Sequence, residues 1–166
     1  RQMCIRDRLK KAECLLRLGG YKGETEQDAA DLVTQVRARN FKSNPAKAVR
    51  TVAQLKGGSN YPYGHRENRN EMGKNDPTKI FNEIEGGADI ELGGLLDERA
   101  WEFVGEYVRR QDLIRFKMTN GQNVYNGKSW FCKPRVTDVS DNHLNIFPIP
   151  KEAIEGNVKL KQNPGY

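Results

Sequence analysis

Apolar residues recur along this chain at the three- and four-residue spacing of helical faces. In residues 9–18, LKKAECLLRL, Leu9, Ala12 and Leu16 share a face and Leu15 widens the stripe, which predicts the end of a helix. Gly19 and Gly20 stop it, because glycine enters the left-handed conformation of a C-terminal cap. Thr25 opens a second helix: its hydroxyl can accept from free N–H groups, and Asp28 three residues on completes an approximate capping box. The body of this second helix puts Ala29, Leu32, Val33 and Val36 on one stripe, so the two helices form an antiparallel hairpin. AKAVRTVAQL restarts a short helix after Asn44, with Pro45 at the first helical position, and stops at Gly57 and Gly58. The longest periodic stretch, LLDERAWEFVGEYVRRQDLIRF from Leu95 to Phe116, spaces Leu96, Ala100, Phe103, Val104, Tyr107 and Ile114 along one face and predicts a single long helix.

Elsewhere the pattern is irregular. Residues 57–94 have no strong period, and GGSNYPYGHRENRNEMGKNDP reads as a turn-rich polar surface loop, with Asp76-Pro77 opening a brief helix. Asn120-Gly121 and Asn126-Gly127 mark turns, with a short strand pair in VYNGKSWFCKPRV. NHLNIFPIP runs extended because Pro148 and Pro150 forbid helix, and KEAIEGN is a helical turn ending at Gly156-Asn157. The fold class expected is mainly α: helical hairpins, long irregular loops and at most short β-strands.

The chain has 166 residues, enough for one domain with a core, but only 36% are hydrophobic and 30% are charged. That core is modest, and sixteen Gly with seven Pro predict long connections. The net charge of +6 admits nucleic acid, acidic lipid or acidic glycan as partners, but no run of five like charges favours nucleic acid. Cys4, Cys14 and Cys132 have neither the number nor the spacing of a disulfide framework or zinc site. No apolar run is long enough to span a bilayer. Residues 1–8, RQMCIRDR, fit poorly with the helical pattern after them and are set aside as an artefact or non-native segment, leaving 9–166 as the domain with a loop-rich insertion at about 57–94.

No nucleophile elbow, zinc-protease motif, phosphate loop or dinucleotide fingerprint is present. His65 and His143 lie in loop-like sequence, where a solvated side chain is the ordinary reading. Glu98, Glu102 and Glu106 are successive i,i+4 neighbours that repel unless each meets a cation. We therefore expect a structural ion-pair network of Asp97, Glu98, Arg99, Glu102, Glu106, Arg110, Asp112 and Arg115, with Arg37, Arg39 and Arg109 as further cations, rather than acid–base catalysis. Glu106 with Arg110 and Asp112 with Arg115 are its expected internal pairs.

Aromatics in polar loops are the better ligand signal. Tyr61 and Tyr63, with His65 and Arg66, and separately Trp130, carry flat rings among polar groups; a ring can pack on the apolar face of a sugar while neighbours take its hydroxyls. These five are the candidate ligand-binding residues. Trp101, inside the long helix, reads as packing.

AECLLRLGG resembles the first helix of a tetratricopeptide repeat. Taken with DAADLVTQVRARN, LLDERAWEFVGEYVRRQDLIRF, NIFPIPKEAI and the closing QNPGY, the chain over residues 9–166 resembles the C-terminal part of SusD/RagB-family outer-membrane nutrient-binding proteins. The resemblance implies a helical, tetratricopeptide-like fold and a surface lipoprotein of Bacteroidetes. Such a protein captures oligosaccharide or another nutrient and passes it to a TonB-dependent SusC-like transporter in the outer membrane. It implies no catalysis and no cofactor, although some members bind calcium, and a lipid anchor on an N-terminal cysteine upstream of this sequence. The family's ligand residues lie outside its motifs, so none carries over. Two rival readings are a tetratricopeptide-type protein–protein adaptor, which would not need FPIP or QNPGY, and a glycosidase, which would need two carboxylates facing across a cleft.

Overall fold

The computed structural model describes residues 2–62, 86–125 and 145–166, and among them the fold is mainly helical, with six α-helices and one two-stranded sheet. The chain divides into two compact units: the first ends at Arg109 and the second takes Arg110 onward.

In the first unit, α1 (Gln2–Leu18) packs along α2 (Glu26–Ala38) through Leu9, Ala12, Leu16, Ala29, Ala30 and Val33, all buried. Alanines at the contact let the two backbones close on each other. Gly19 takes φ +69° and the Gly20 N–H donates to the Leu15 carbonyl at 2.9 Å, the six-to-one bond of a glycine-terminated helix. Thr25 caps α2 in a full capping box, the Asp28 N–H donating to its hydroxyl and the Thr25 N–H donating to the Asp28 carboxylate at 2.6 Å. Donation to the carboxylate from the Thr25 backbone N–H first, and from its hydroxyl at 2.8 Å next, holds the Asp28 carboxyl below its usual 3.8. Residues 2–8 continue α1; Ile5 is buried and Arg6 pairs with Glu106 at 2.7 Å.

AKAVRTVAQL is two elements rather than one helix. A 3₁₀ turn over Pro45–Ala48 is followed by extended residues and then α3 (Val52–Lys56). The break has a local cause. The Arg50 N–H donates to the Thr34 hydroxyl at 3.0 Å, and Thr51 starts a new helix through a capping box with Gln54. Strand β1 (Ser59–Pro62) then pairs antiparallel with β2 (Gly86–Gly87), Pro62 opposite Gly86.

The long periodic stretch also divides, into α4 (Gly93–Glu102) and α5 (Arg109–Arg115). Gly105 at φ +79° and Tyr107 at φ +59° turn the chain between them. Phe103 stays buried, whereas Val104 and Tyr107 are 79% and 95% exposed, so the apolar stripe drawn through all three does not exist as one face. At its other end α4 lies directly on backbone. A Cβ at Gly93 would fall 2.2 Å from the Ser59 nitrogen, and one at Gly94 would fall 1.9 Å from the Gln54 carbonyl oxygen. Two glycines without side chains are what let α4 start there.

In the second unit, Leu113, Phe116, Met118 and Val124 form a small buried cluster. The turn at Asn120-Gly121 closes with a Lys117–Asn123 bridge and Gly121 at φ +80°. The Arg110 guanidinium lies 4.3 Å from the Phe147 ring centroid and 5.4 Å from that of Tyr125, and it donates to the Asn145 carbonyl at 3.1 Å. After Pro150 comes α6 (Lys151–Gly156). The closing QNPGY holds the preceding FPIP run through side chains. Gln162 accepts from the Ile149 N–H at 2.8 Å and donates to the Ile149 carbonyl at 2.9 Å; Asn163 donates to the Phe147 carbonyl and the Tyr166 hydroxyl to the Ile146 carbonyl, each at 2.8 Å. Ile149 stands between two prolines, so its N–H is the only one the Pro148–Pro150 run can offer, and a primary amide satisfies both its donor and its acceptor.

Candidate functional site

Helix α4 presents two polar faces inside the first unit. Asp97 and Trp101, four residues apart, face β1. Asp97 is buried and accepts from the Ser59 hydroxyl at 2.5 Å and the Asn60 N–H at 3.0 Å, and the same hydroxyl accepts from the Tyr61 N–H at 3.0 Å. The strand is thereby pinned so that the Tyr61 hydroxyl receives a hydrogen bond from the Trp101 indole N–H. Their ring centroids are 5.9 Å apart at an interplanar angle of 60°. Both rings remain open to solvent, Tyr61 at 43% and Trp101 at 42% exposed.

Glu98 and Glu102 face the C-terminal end of α2. Glu98 is 5% exposed; both its oxygens accept from Arg37 Nη1 at 2.8 Å, and one also accepts from Arg50 Nε at 2.6 Å. Arg37 spends its other nitrogens on the carbonyls of Ala48 and Lys47, at 3.1 and 2.9 Å. One guanidinium thus joins α2, the 3₁₀ turn and α4. Glu102 takes Arg39 at 2.7 Å. In the second unit, Asp112 takes Arg115 at 2.8 Å. The buried Arg99 stacks on Phe103 at 5.2 Å, and Arg110 engages the rings of Tyr125 and Phe147. Glu106 takes Arg6, a cation from α1 that lies outside its own stretch of chain, at 2.7 Å.

Arg37 also lies 4.7 Å from the Phe41 ring centroid and 5.8 Å from that of Trp101. Beside it opens a cleft of about 200 Å³ with Leu9, Val33 and Val36 at its floor, Phe41 and Trp101 at its walls, and Asn40 and Glu102 among its polar residues. Flat rings over an apolar floor with an amide at hand can stack on a sugar ring and bond its hydroxyls. The carboxylates beside them, Glu98 and Glu102, are taken up by arginines.

Of the residues expected to bind ligand, Tyr61 stands at this cluster; Tyr63, His65, Arg66 and Trp130 lie outside the described residues. Trp101, read from the sequence as packing, and Phe41 and Asn40, which the sequence did not single out, line the cleft. Trp101 had a readable signal: a large aromatic on α4 set among charged positions and off the stripe of buried Leu95 and Leu96.

Among the described residues, no helix is long and apolar enough to cross a membrane. A family sequence model described as the SusD family matches residues 9–166. No curated protein and no solved structure matches the chain.

Proposed function

The chain belongs to the SusD family, whose members bind glycans and other nutrients, and from that premise we propose that it captures oligosaccharide at the cell surface and hands it to a SusC-like TonB-dependent transporter. It works as a binder and not a catalyst, held at the outer membrane by a lipid anchor of the kind the family uses. The observation that carries the reading is the Tyr61–Trp101 pair, two rings fixed by an indole–hydroxyl bond and left open to solvent at the edge of the Phe41–Trp101 cleft. Pre-orientation matters here because a ring already held in place has less rotamer freedom to lose when a sugar stacks on it. Tyr63, His65, Arg66 and Trp130 join the proposed ligand surface on residue chemistry alone.

Calorimetry against a panel of plant and host oligosaccharides tests this. Trp101→Ala should cost about 2 kcal/mol, roughly thirty-fold in Kd, because it removes a central aromatic anchor. Tyr61→Ala combined with Tyr63→Ala should abolish retention in affinity electrophoresis. Undiminished affinity in both variants, with far-ultraviolet circular dichroism unchanged, refutes the site.

A further inference from the structure

The sequence from Leu32 to Pro62 contains six Lys and Arg residues and no Asp or Glu. This acid-free stretch supplies the C-terminal half of α2, the Phe41 wall, the 3₁₀ turn, α3 and the strand that carries Tyr61. Three carboxylates from elsewhere answer it: Glu26 pairs with Lys56, Glu102 with Arg39, and Glu98 alone serves both Arg37 and Arg50. One guanidinium charge at Glu98 is therefore uncompensated. Lys42, adjacent in sequence to Phe41, and Lys47, whose carbonyl Arg37 holds, are exposed and have no ion-pair partner among the described residues. The buried Asp97 carboxylate also lies against the segment through Ser59 and Asn60, so two surplus positive charges accompany the stretch that builds the aromatic cleft.

Resting on the reading of the Tyr61–Trp101 cluster as the ligand site, we infer that the ligand is an acidic oligosaccharide, one bearing carboxylate or sulfate groups on its rings. The division of labour follows from the chemistry. Aromatic faces bind any pyranose with little regard to charge, whereas exposed lysines attract an anion over about a Debye length and add affinity only where one is present. The buried Arg37–Glu98–Arg50 cluster leaves a fixed positive excess that no side-chain motion removes, since Glu98 is buried and both its oxygens are occupied. A cleft of about 200 Å³ with aromatic walls takes a ring-sized group; Glu98 and Glu102 line it beside Arg37, so the charge that favours an acidic sugar comes from the exposed Lys42 and Lys47 outside the cleft.

The test uses the full chain and three hexasaccharides: an oligogalacturonate carrying carboxylates only, a carrageenan fragment carrying sulfates only, and an uncharged galactan. At least one acidic ligand should bind about tenfold tighter than the galactan at low salt, and the margin should shrink as salt rises. Lys42→Gln with Lys47→Gln, both exposed and outside the core, should cut that ligand's affinity about fivefold and leave the galactan unchanged. Which acidic ligand wins distinguishes carboxylate from sulfate. Galactan binding as well as both acidic ligands, with Trp101→Ala weakening all three, overturns the charge selectivity and leaves the aromatic site standing. Acidic binding untouched by the lysine pair also overturns it. Affinities for every ligand untouched by Trp101→Ala, or no binding at all, overturn both.

Discussion

Replacing Glu98 with Gln is the sharpest perturbation of the first unit. The side chain keeps its size and one carbonyl acceptor, but the negative charge between Arg37 and Arg50 is gone. Those side chains are only 11% and 23% exposed, so water can do little to solvate two guanidinium groups left facing each other. Breaking a buried pair by removing one partner typically costs about 3–5 kcal/mol, a large share of a domain stability of about 5–15 kcal/mol. Glu102 provides the internal control. It pairs with an Arg39 that is 36% exposed, and Glu102→Gln should cost about 0.5–1 kcal/mol. Urea unfolding followed by far-ultraviolet circular dichroism would place both variants on one scale through the midpoint at constant m. Adding Arg50→Met to Glu98→Gln should recover part of the loss, because it removes one of the two orphaned cations. A loss below about 1 kcal/mol for Glu98→Gln, or equal losses for the two glutamates, would refute the view that burial makes this cluster a structural clasp.

Gly94→Ala should destabilise by about 2 kcal/mol or more, since its Cβ would overlap the Gln54 carbonyl oxygen, a backbone atom that moves only with α3; thermal melts check it. Gln162→Ala removes two bonds to Ile149 and should cost about 1–2 kcal/mol locally, read as faster amide exchange at Ile149 with the first unit unaffected. Asp28 gives a pH signature. Its carboxyl is depressed in the folded chain, so its contribution to the α2 cap is present above the unfolded value near 3.8 and is lost as pH falls through the lower folded value. Asp28→Asn should flatten the acid limb of the stability profile in that window, and an unchanged limb would count against the cap.

The features legible in the sequence are those decided within one turn of chain. Thr25 with Asp28, and Gly19 with Gly20, bound α1 and α2 through bonds that reach no further than five residues, so residue type and spacing suffice. Charge excess was informative for a similar reason: glutamates at i,i+4 spacing require cations, and the Arg37 and Arg39 of the neighbouring hairpin lie against Glu98 and Glu102. The break at Gly105 was not legible, because one glycine inside a periodic run is tolerated in many helices and only the burial of Phe103 beside exposed Val104 decides it. Strand β2 is two glycines with no alternation to read. The exposure of Trp101 depends on Asp97 drawing β1 alongside α4, a contact across more than thirty residues of sequence. The Tyr61–Trp101 pair of the proposed ligand cluster was therefore invisible until the helix and the strand were set side by side.

The pairing of Pro62 with Gly86 brings the chain out of the first unit and returns it at one point. For the scaffold, the two ends of the intervening sequence are already joined. Where the ends are fixed, lengthening a flexible insert costs only about 0.6 kcal/mol per doubling. The junction is thus a natural port for grafting. A reporter peptide, an affinity tag or the equivalent stretch from another member could be exchanged there while α4, its arginine partners and the Trp101 platform keep their places.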